Sequence, residues 1–127
     1  MIETPVVQRL KRRPQFLAVA ASGKRVSAPS FTLQAAPRPE AEPAEAIGIG
    51  LTATRRLGGA VVRNRARRRL RAAVARTAAC AAPGFDYVLI ARAEAVRQRF
   101  AELERDLCAA FRRVDKAAPR PTRGPRR

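Results

Sequence analysis

Histidine is absent from the 127 residues of this sequence, and cysteine occurs only twice. The lack of histidine excludes Ser-His and Cys-His catalytic pairs and every metal site with an imidazole ligand. Cys80 and Cys108 lie 28 positions apart without a Cys-x-x-Cys motif, which excludes a zinc finger. We expect both cysteines to be buried, reduced thiols of an intracellular protein.

Long apolar runs are absent as well. No run approaches the ~20 residues that a membrane-spanning helix needs, and residues 1–13 lack the apolar stretch of a signal peptide. The sequence therefore predicts a cytoplasmic protein without a membrane contact. Its length fits one compact domain, and a 46% share of hydrophobic residues is enough to build a core.

Acidic residues are scarce, since 10 Asp and Glu stand against 27 Lys and Arg, for a formal net charge of +17. Such an excess destabilises a compact fold by self-repulsion, so a polyanionic partner is its natural explanation. Only three of the 27 basic residues are lysines. Arginine binds phosphate through paired hydrogen bonds and stacks on bases, which favours a nucleic acid as that partner. A GC-rich coding sequence would also enrich arginine, but it does not explain the missing acids.

Hydrophobic periodicity predicts three helices and three or four strands in one domain. A basic arm over 1–13 precedes the domain, which spans 14–116, and a disordered basic tail over 117–127 follows it. The helices are predicted over 14–22, 61–82 and 96–114, and three strands over 30–35, 47–53 and 85–91. The segment 24–27 is the optional fourth strand.

Proline and glycine indicate several local features. Pro14 suits the first turn of the first helix, and Gly23 suits the position just past its end. Three prolines and three glutamates over 36–46 predict an exposed loop. Gly48 and Gly50 weaken their strand, which indicates close approach by another backbone or a helix.

The predicted helix over 61–82 concentrates the positive charge. Between residues 46 and 93, ten arginines stand against one acidic residue, Asp86. On a helical wheel, the arc without arginine contains Val62, Ala66, Leu70, Ala73, Val74 and Thr77. Arginines four residues apart repel each other by a few tenths of a kcal/mol, so this face is favourable mainly when phosphates neutralise it. A merely solvated basic face is the simpler alternative, and the lack of interspersed glutamate counts against it.

Residues 57–71 (LGGAVVRNRARRRLR) resemble the signature of the protein subunit of bacterial ribonuclease P, in which a small turn precedes an Arg-Asn-Arg helix with further basic residues. The resemblance covers roughly residues 9–114. It includes Arg9-Leu10-Lys11 and Phe16 near the start, Phe31 and Leu33 in one strand, Gly50–Thr52 at the end of another, and Tyr87–Arg92.

The resemblance implies an α/β (α+β) fold with a single domain. Its elements would follow the order helix-strands-helix-strand-helix around a central, mostly antiparallel sheet. In this family the arginine-rich helix forms an unusual left-handed crossover between strands, whereas right-handed crossovers are the general default.

The resemblance also implies that the chain is an accessory subunit without catalytic residues. The chemistry, endonucleolytic removal of the 5′ leader from precursor tRNA, would belong to a catalytic RNA with bound Mg²⁺. The protein itself would bind no metal. Its partners would be that catalytic RNA and precursor tRNA, with one protein monomer per RNA.

Two sets of residues are implied to bind RNA. The arginine-rich helix would bind the catalytic RNA through Arg55, Arg56, Arg63, Asn64, Arg65, Arg67, Arg68 and Arg71. A cleft between the first helix and the sheet would hold the single-stranded leader. Its residues would be Phe16, Ala20, Lys24, Arg25, Thr32 and Gln34. Phe16 either stacks on a base or packs in the core, and the sequence leaves both open.

The sequence departs from the family pattern at three positions. Many members carry aromatic residues where this chain has Ala20 and Gln34, and an asparagine is common where it has Gly59. We expect weaker stacking on the leader, with more reliance on Lys24, Arg25 and the strand backbone. At Gly59 we expect the loss of a helix cap or an RNA contact.

Two other functions fit the composition. A basic ribosomal protein or RNA chaperone would bind rRNA through the same helix, and a DNA-binding domain would place it in a major groove. The Arg-Asn-Arg motif and the order of elements favour the ribonuclease P subunit over the first alternative. No helix-turn-helix spacing surrounds the helix, which counts against the second.

Overall fold

The computed structural model describes residues 6–39, 45–114 and 116. Five strands lie at β1 Val6–Arg9, β2 Lys24–Ser27, β3 Phe31–Pro37, β4 Ala46–Thr52 and β5 Phe85–Ala91. Three helices lie at α1 Arg13–Ala21, α2 Ala60–Thr77 and α3 Phe100–Val114. Short 3-10 turns lie at Arg55–Leu57, Ala78–Cys80 and Ala93–Val96. The predicted disordered tail over 117–127 falls outside the described residues.

The five strands form one mixed sheet in the order β1-β4-β5-β3-β2. The pairs β1–β4 and β4–β5 are parallel, and the pairs β3–β5 and β2–β3 are antiparallel. The predicted single α/β domain is confirmed, but the sheet is evenly divided between the two pairings rather than mostly antiparallel. Helix α2 connects the parallel neighbours β4 and β5, so the arginine-rich helix is a crossover, as expected.

Strand β1 lies within the segment that was predicted to be a basic arm over 1–13. Its register runs from Val6 opposite Ala46 to Arg9 opposite Ile49. The strand has only four residues, and Val6 and Val7 are 60% and 42% exposed. An edge strand this short has no clear apolar alternation, which is why periodicity did not reveal it.

Helices cover both faces of the sheet. Helices α2 and α3 pack on one face, and the larger core lies there. Its largest buried side chains are Phe31, Leu33, Ile47, Leu70, Tyr87, Leu89, Leu103, Leu107 and Phe111. Helix α1 covers part of the other face with a smaller cluster formed by Leu10, Val19, Ala36 and Val88, against which Phe16 and Ile90 pack. The arginine-rich helix and α1 therefore pack on opposite faces of the sheet.

The helix boundaries follow local backbone constraints. Helix α1 ends at Ala21, and Gly23 adopts a positive φ of 78°, which confirms the predicted glycine stop. Helix α2 ends at Thr77, five residues before the predicted end, because a 3-10 turn follows it. Helix α3 begins at Phe100, later than predicted, because Val96 belongs to the 3-10 turn after β5.

Cys80 and Cys108 form a disulfide, with their Cα atoms 5.3 Å apart. The expectation of buried, reduced thiols is therefore wrong on both counts, since each residue is also only half-buried. The bond joins the 3-10 turn after α2 to the middle of α3, two elements that pack together. Their separation of 28 positions gave no indication of this proximity, which depends on how the two helices dock.

Candidate nucleic-acid interface

Helix α2 docks on the sheet through a narrow apolar arc. Its buried residues are Ala66, Leu70, Ala73, Val74 and Thr77, which the helical wheel placed on that arc. Val62, the sixth predicted member, is half-buried. The remaining circumference of the helix points away from the core.

The predicted RNA-binding residues lie on that outer circumference and on the 3-10 turn before it. The exposed members of the set are Arg55, Arg56, Asn64, Arg65, Arg68 and Arg71, and the half-buried members are Arg63 and Arg67. Within residues 6–39, 45–114 and 116, none of these arginines forms a salt bridge with a carboxylate. We call this set of eight residues the α2 surface. Its charge is uncompensated by the rest of the described protein.

Two hydrogen bonds order part of the α2 surface. Arg67 donates from Nη1 to Oδ1 of Asn64 at 3.2 Å, so the two side chains form a pair one turn apart. Arg63 donates from Nε to the carbonyl oxygen of Gly59 at 3.4 Å. Neither bond neutralises charge, so both guanidinium groups keep their attraction for phosphate.

Two other arginines of α2 have structural roles. Arg69 donates to the backbone carbonyl oxygens of Ala95 and Gln98, and its guanidinium lies 6.0 Å from the ring centroid of Phe100. Arg76 forms a salt bridge with Glu104 on α3. Neither residue belongs to the predicted RNA-binding set.

Strand register brings most of the predicted leader-cleft residues to one face of the sheet. Arg25 lies opposite Gln34, and Gln34 lies opposite Val88, which belongs to the cluster under α1. Thr32 lies opposite Ile90, another neighbour of that cluster. The three polar residues therefore share the α1 face. Ala20 is exposed on α1 itself.

Lys24 does not join this group. It lies opposite Ala35, which belongs to the core under α2 and α3, and its Nζ is 6.0 Å from the ring centroid of Phe85. The prediction that Lys24 and Arg25 lie together in the cleft is therefore wrong for Lys24. Neighbouring residues of a strand point to opposite faces of the sheet, so a strand over 24–27 itself implies that Lys24 and Arg25 lie on different faces.

Phe16 is half-buried and packs against the cluster under α1. A Cβ atom on Gly50 would lie 2.5 Å from Cε2 and 2.7 Å from Cζ of its ring. The Phe16 side chain is thus the group that approaches Gly50 closely. Phe16 belongs to α1, so the predicted approach by a helix is confirmed. The ring serves as core on one side, and its remaining surface lines the recesses between α1 and α2.

Arg38 and Asp86 form a buried ion pair that the sequence analysis did not predict. Arg38 Nε lies 2.9 Å from Asp86 Oδ1, and Arg38 also donates from Nη2 to Oε1 of Gln8 at 2.8 Å. The exposed loop predicted over 36–46 is wrong at its start, because strand β3 continues to Pro37 and the Arg38 side chain is buried. The pair ties this segment to β5 and β1.

The family model for ribonuclease P matches residues 5–115 of this chain. The ribonuclease P protein component of Paramagnetospirillum magneticum is 44% identical over 110 residues, which cover 85% of this chain and 83% of that protein. The component of Gluconacetobacter diazotrophicus is 46% identical over 108 residues, covering 84% and 90%. The chain belongs to the ribonuclease P protein family.

Solved structures of ribonuclease P proteins share the fold. The protein from Thermotoga maritima superimposes with a TM-score of 0.71 at 25% identity, covering 84% of this chain and 97% of that one. The Staphylococcus aureus protein gives a TM-score of 0.65 at 20% identity, covering 80% and 90%. As a ribonuclease P protein, the chain is a subunit of an endoribonuclease ribonucleoprotein and has an RNA partner.

Two features are absent from the described residues. No group of three or more His, Cys, Asp or Glu side chains in that part of the chain is arranged to hold a metal ion. None of the helices there is long and apolar enough to cross a membrane.

Proposed function

We propose that this chain is the accessory protein of ribonuclease P, which binds the catalytic RNA and the 5′ leader of precursor tRNA. In that role it assists the endonucleolytic removal of the leader, while the RNA carries out the reaction. The observation that carries the proposal is the α2 surface, whose arginines have no carboxylate partner among the described residues of a ribonuclease P family member.

The α2 surface suits a folded RNA because it presents several cationic groups along one rigid helix. Each phosphate that an arginine neutralises releases a counterion, so several contacts together give high affinity at moderate salt. The Arg67–Asn64 pair adds a polar group that can reach a sugar or a base edge. A helix that is fixed by its buried arc holds these groups in place before the RNA arrives.

The leader would lie on the α1 face of the sheet. Phe16 packs against that face, and Arg25, Thr32 and Gln34 lie on it. The Phe16 ring can stack on a base without strong sequence preference, which suits leaders of variable sequence. Ala20 leaves open space on the helix where an aromatic residue would otherwise extend the stack. We infer that this cleft holds the leader more by polar contacts than by stacking.

We propose that the Mg²⁺ ions of the reaction are held by the RNA partner. Magnesium prefers carboxylate and water oxygens, whereas the α2 surface offers guanidinium groups, which repel cations. The residues of the proposed interface therefore do not fit a metal site. Their role is to bind and orient RNA. We propose that one protein monomer binds each RNA and that the complex acts in the cytoplasm.

Reconstitution tests the proposal directly. Purified protein alone should leave precursor tRNA intact, and adding it to its cognate RNA should raise cleavage at low Mg²⁺, where RNA alone reacts poorly. The matched control is a charge-equivalent mixture with polyarginine in place of the protein. Absence of stimulation over a full series of salt concentrations would refute the proposal, and so would cleavage by the protein alone.

A further inference from the structure

A groove of about 570 Å³ runs along the free edge of β4, between α2 and the start of α1. We call it the edge groove. Its floor is apolar and includes Leu10, Ile49, Leu51 and Val74, and the Phe16 ring forms part of its wall. A smaller recess continues from it past Phe16 and Leu51 towards Thr52 and Ala53. Phe16 is shared with the α1 face, but Thr32 and Gln34, which lie on that face, line neither recess.

The edge groove exists because β1 is shorter than β4. The pairing of the two strands ends where Arg9 lies opposite Ile49. The N–H of Leu10 then donates to the Ile49 carbonyl oxygen at 2.9 Å, and the chain continues into α1. No described strand pairs with the last three residues of β4 on that side. Peptide groups alternate along a strand, so the N–H and C=O of Leu51 face the same edge as those of Ile49. The apolar floor thus includes a backbone donor and acceptor.

The rim of the edge groove is cationic. Arg9 and Lys11 lie on one side, Arg67 and Arg71 lie on the other, and none of the described residues that line the groove is acidic. An occupant that matches both features has a flat, weakly polar body and negative charges on either side of it. An unstacked nucleotide has this form, with a base flanked by two phosphates.

We propose that the edge groove receives one unpaired nucleotide of the catalytic RNA, with its base on the apolar floor and the flanking phosphates on the rim. A base inside a duplex cannot enter such a concave site, so the nucleotide must come from a single-stranded loop, bulge or junction. The source follows from Arg67 and Arg71, which belong to the α2 surface and make the groove continuous with it. The inference rests on the proposed function, which supplies this RNA.

Ala75 gives a direct test, because it is an exposed residue of α2 that lines the groove. Ala75→Glu would place a carboxylate between the rim arginines and the bound phosphates. Ala109→Glu is the matched control, since Ala109 is an exposed alanine on α3 and the change in net charge is the same. We expect Ala75→Glu to weaken binding to the catalytic RNA by about tenfold or more, and Ala109→Glu by about twofold or less.

A titration of the unmodified protein keeps the test independent of folding defects. Amide NMR spectra recorded with a hexauridylate should shift at Leu51 and Ala75, and a six-base-pair RNA duplex should leave these two amides unchanged. Shifts confined to Thr32 and Gln34 would overturn the inference, because the single strand would then lie in the leader cleft. Equal effects of Ala75→Glu and Ala109→Glu on binding would overturn it as well.

Two further comparisons show whether the nucleotide comes from the catalytic RNA or from the leader, and whether the inference can fail while the proposed function holds. If Ala75→Glu reduces the preference for precursor over mature tRNA while binding to the catalytic RNA is unchanged, the groove holds the leader and the inference is wrong. If the unmodified protein stimulates cleavage and the hexauridylate leaves Leu51 unaffected, the inference fails and the proposed function stands. If stimulation is absent, the proposed function itself fails.

Discussion

Arg38 Nε lies 2.9 Å from Asp86 Oδ1, and the two side chains are only 3% and 8% exposed. The pair joins the end of β3 to the start of β5, and the second bond of Arg38 to Gln8 extends the connection to β1. Gly48 makes room for it, because a Cβ atom there would lie 2.1 Å from Asp86 Oδ1. One buried ion pair thus connects segments of three strands.

Breaking this pair from one side should destabilise the protein strongly. Asp86→Ala leaves the Arg38 charge buried without its carboxylate, and we expect the free energy of unfolding to fall by about 3–5 kcal/mol. The double variant Arg38→Met/Asp86→Leu removes both charges and should recover much of that loss. Urea unfolding followed by circular dichroism measures both variants. A double variant as unstable as Asp86→Ala alone would contradict this account.

Gly50 should be intolerant of any side chain. The Cβ of Gly50→Ala would lie 2.5 Å from the Phe16 ring, so the ring must move out of its site at a cost of about 1–3 kcal/mol. Gly59→Ala is the control, because nothing lies within 4 Å of a Cβ there, and its effect as a helix cap should stay below about 1 kcal/mol. Thermal unfolding distinguishes the two, and equal losses would show that Phe16 adjusts freely.

Sequence reasoning recovered the elements that have strong local signals. Strand β5 has the predicted bounds 85–91, because a buried apolar run lies between a Pro-Gly turn and a charged stretch. The arc of α2 followed from helical periodicity, and the Arg-Asn-Arg motif then predicted an RNA-binding set on the surface opposite it. These features depend on residues close together in the chain.

What sequence reasoning missed depends on contacts between distant segments. Strand β1 forms only by pairing with β4, the Cys80–Cys108 bond depends on how α2 and α3 dock, and the burial of Arg38 depends on Asp86, 48 positions away. The edge groove is of the same kind, since it results from a difference in length between two strands. None of these relationships has a period or a motif in the sequence.

The disulfide should contribute measurable stability. It closes a loop of 28 positions, and restricting the unfolded chain in this way contributes about 3–4 kcal/mol. Unfolding of the oxidised protein with and without dithiothreitol measures that difference. The double variant Cys80→Ser/Cys108→Ser should be insensitive to the reductant. A stability that the reductant leaves unchanged in the unmodified protein would show that the bond is not formed in solution.

The α2 surface makes a prediction about salt dependence. Arg65→Ala/Arg68→Ala should weaken binding to the catalytic RNA and reduce the slope of log affinity against log salt by about 1.5, because each lost phosphate contact removes about 0.7–0.9. The control is Arg105→Ala/Arg112→Ala, which removes two exposed arginines of α3. Filter binding over a series of salt concentrations gives both slopes. Equal slopes for the two double variants would place the RNA on another surface.

Phe16 should contribute to recognition of the leader beyond its role in packing. Phe16→Leu keeps an apolar side chain over Gly50 but removes the aromatic face, so most of the stability should remain while stacking is lost. We expect affinity for precursor tRNA to fall by about 5–100-fold, as for the loss of one stacked base, while affinity for mature tRNA is unchanged. The measurement compares both tRNAs on the assembled ribonucleoprotein. A loss of stability with the same preference for precursor tRNA would assign Phe16 to the core alone.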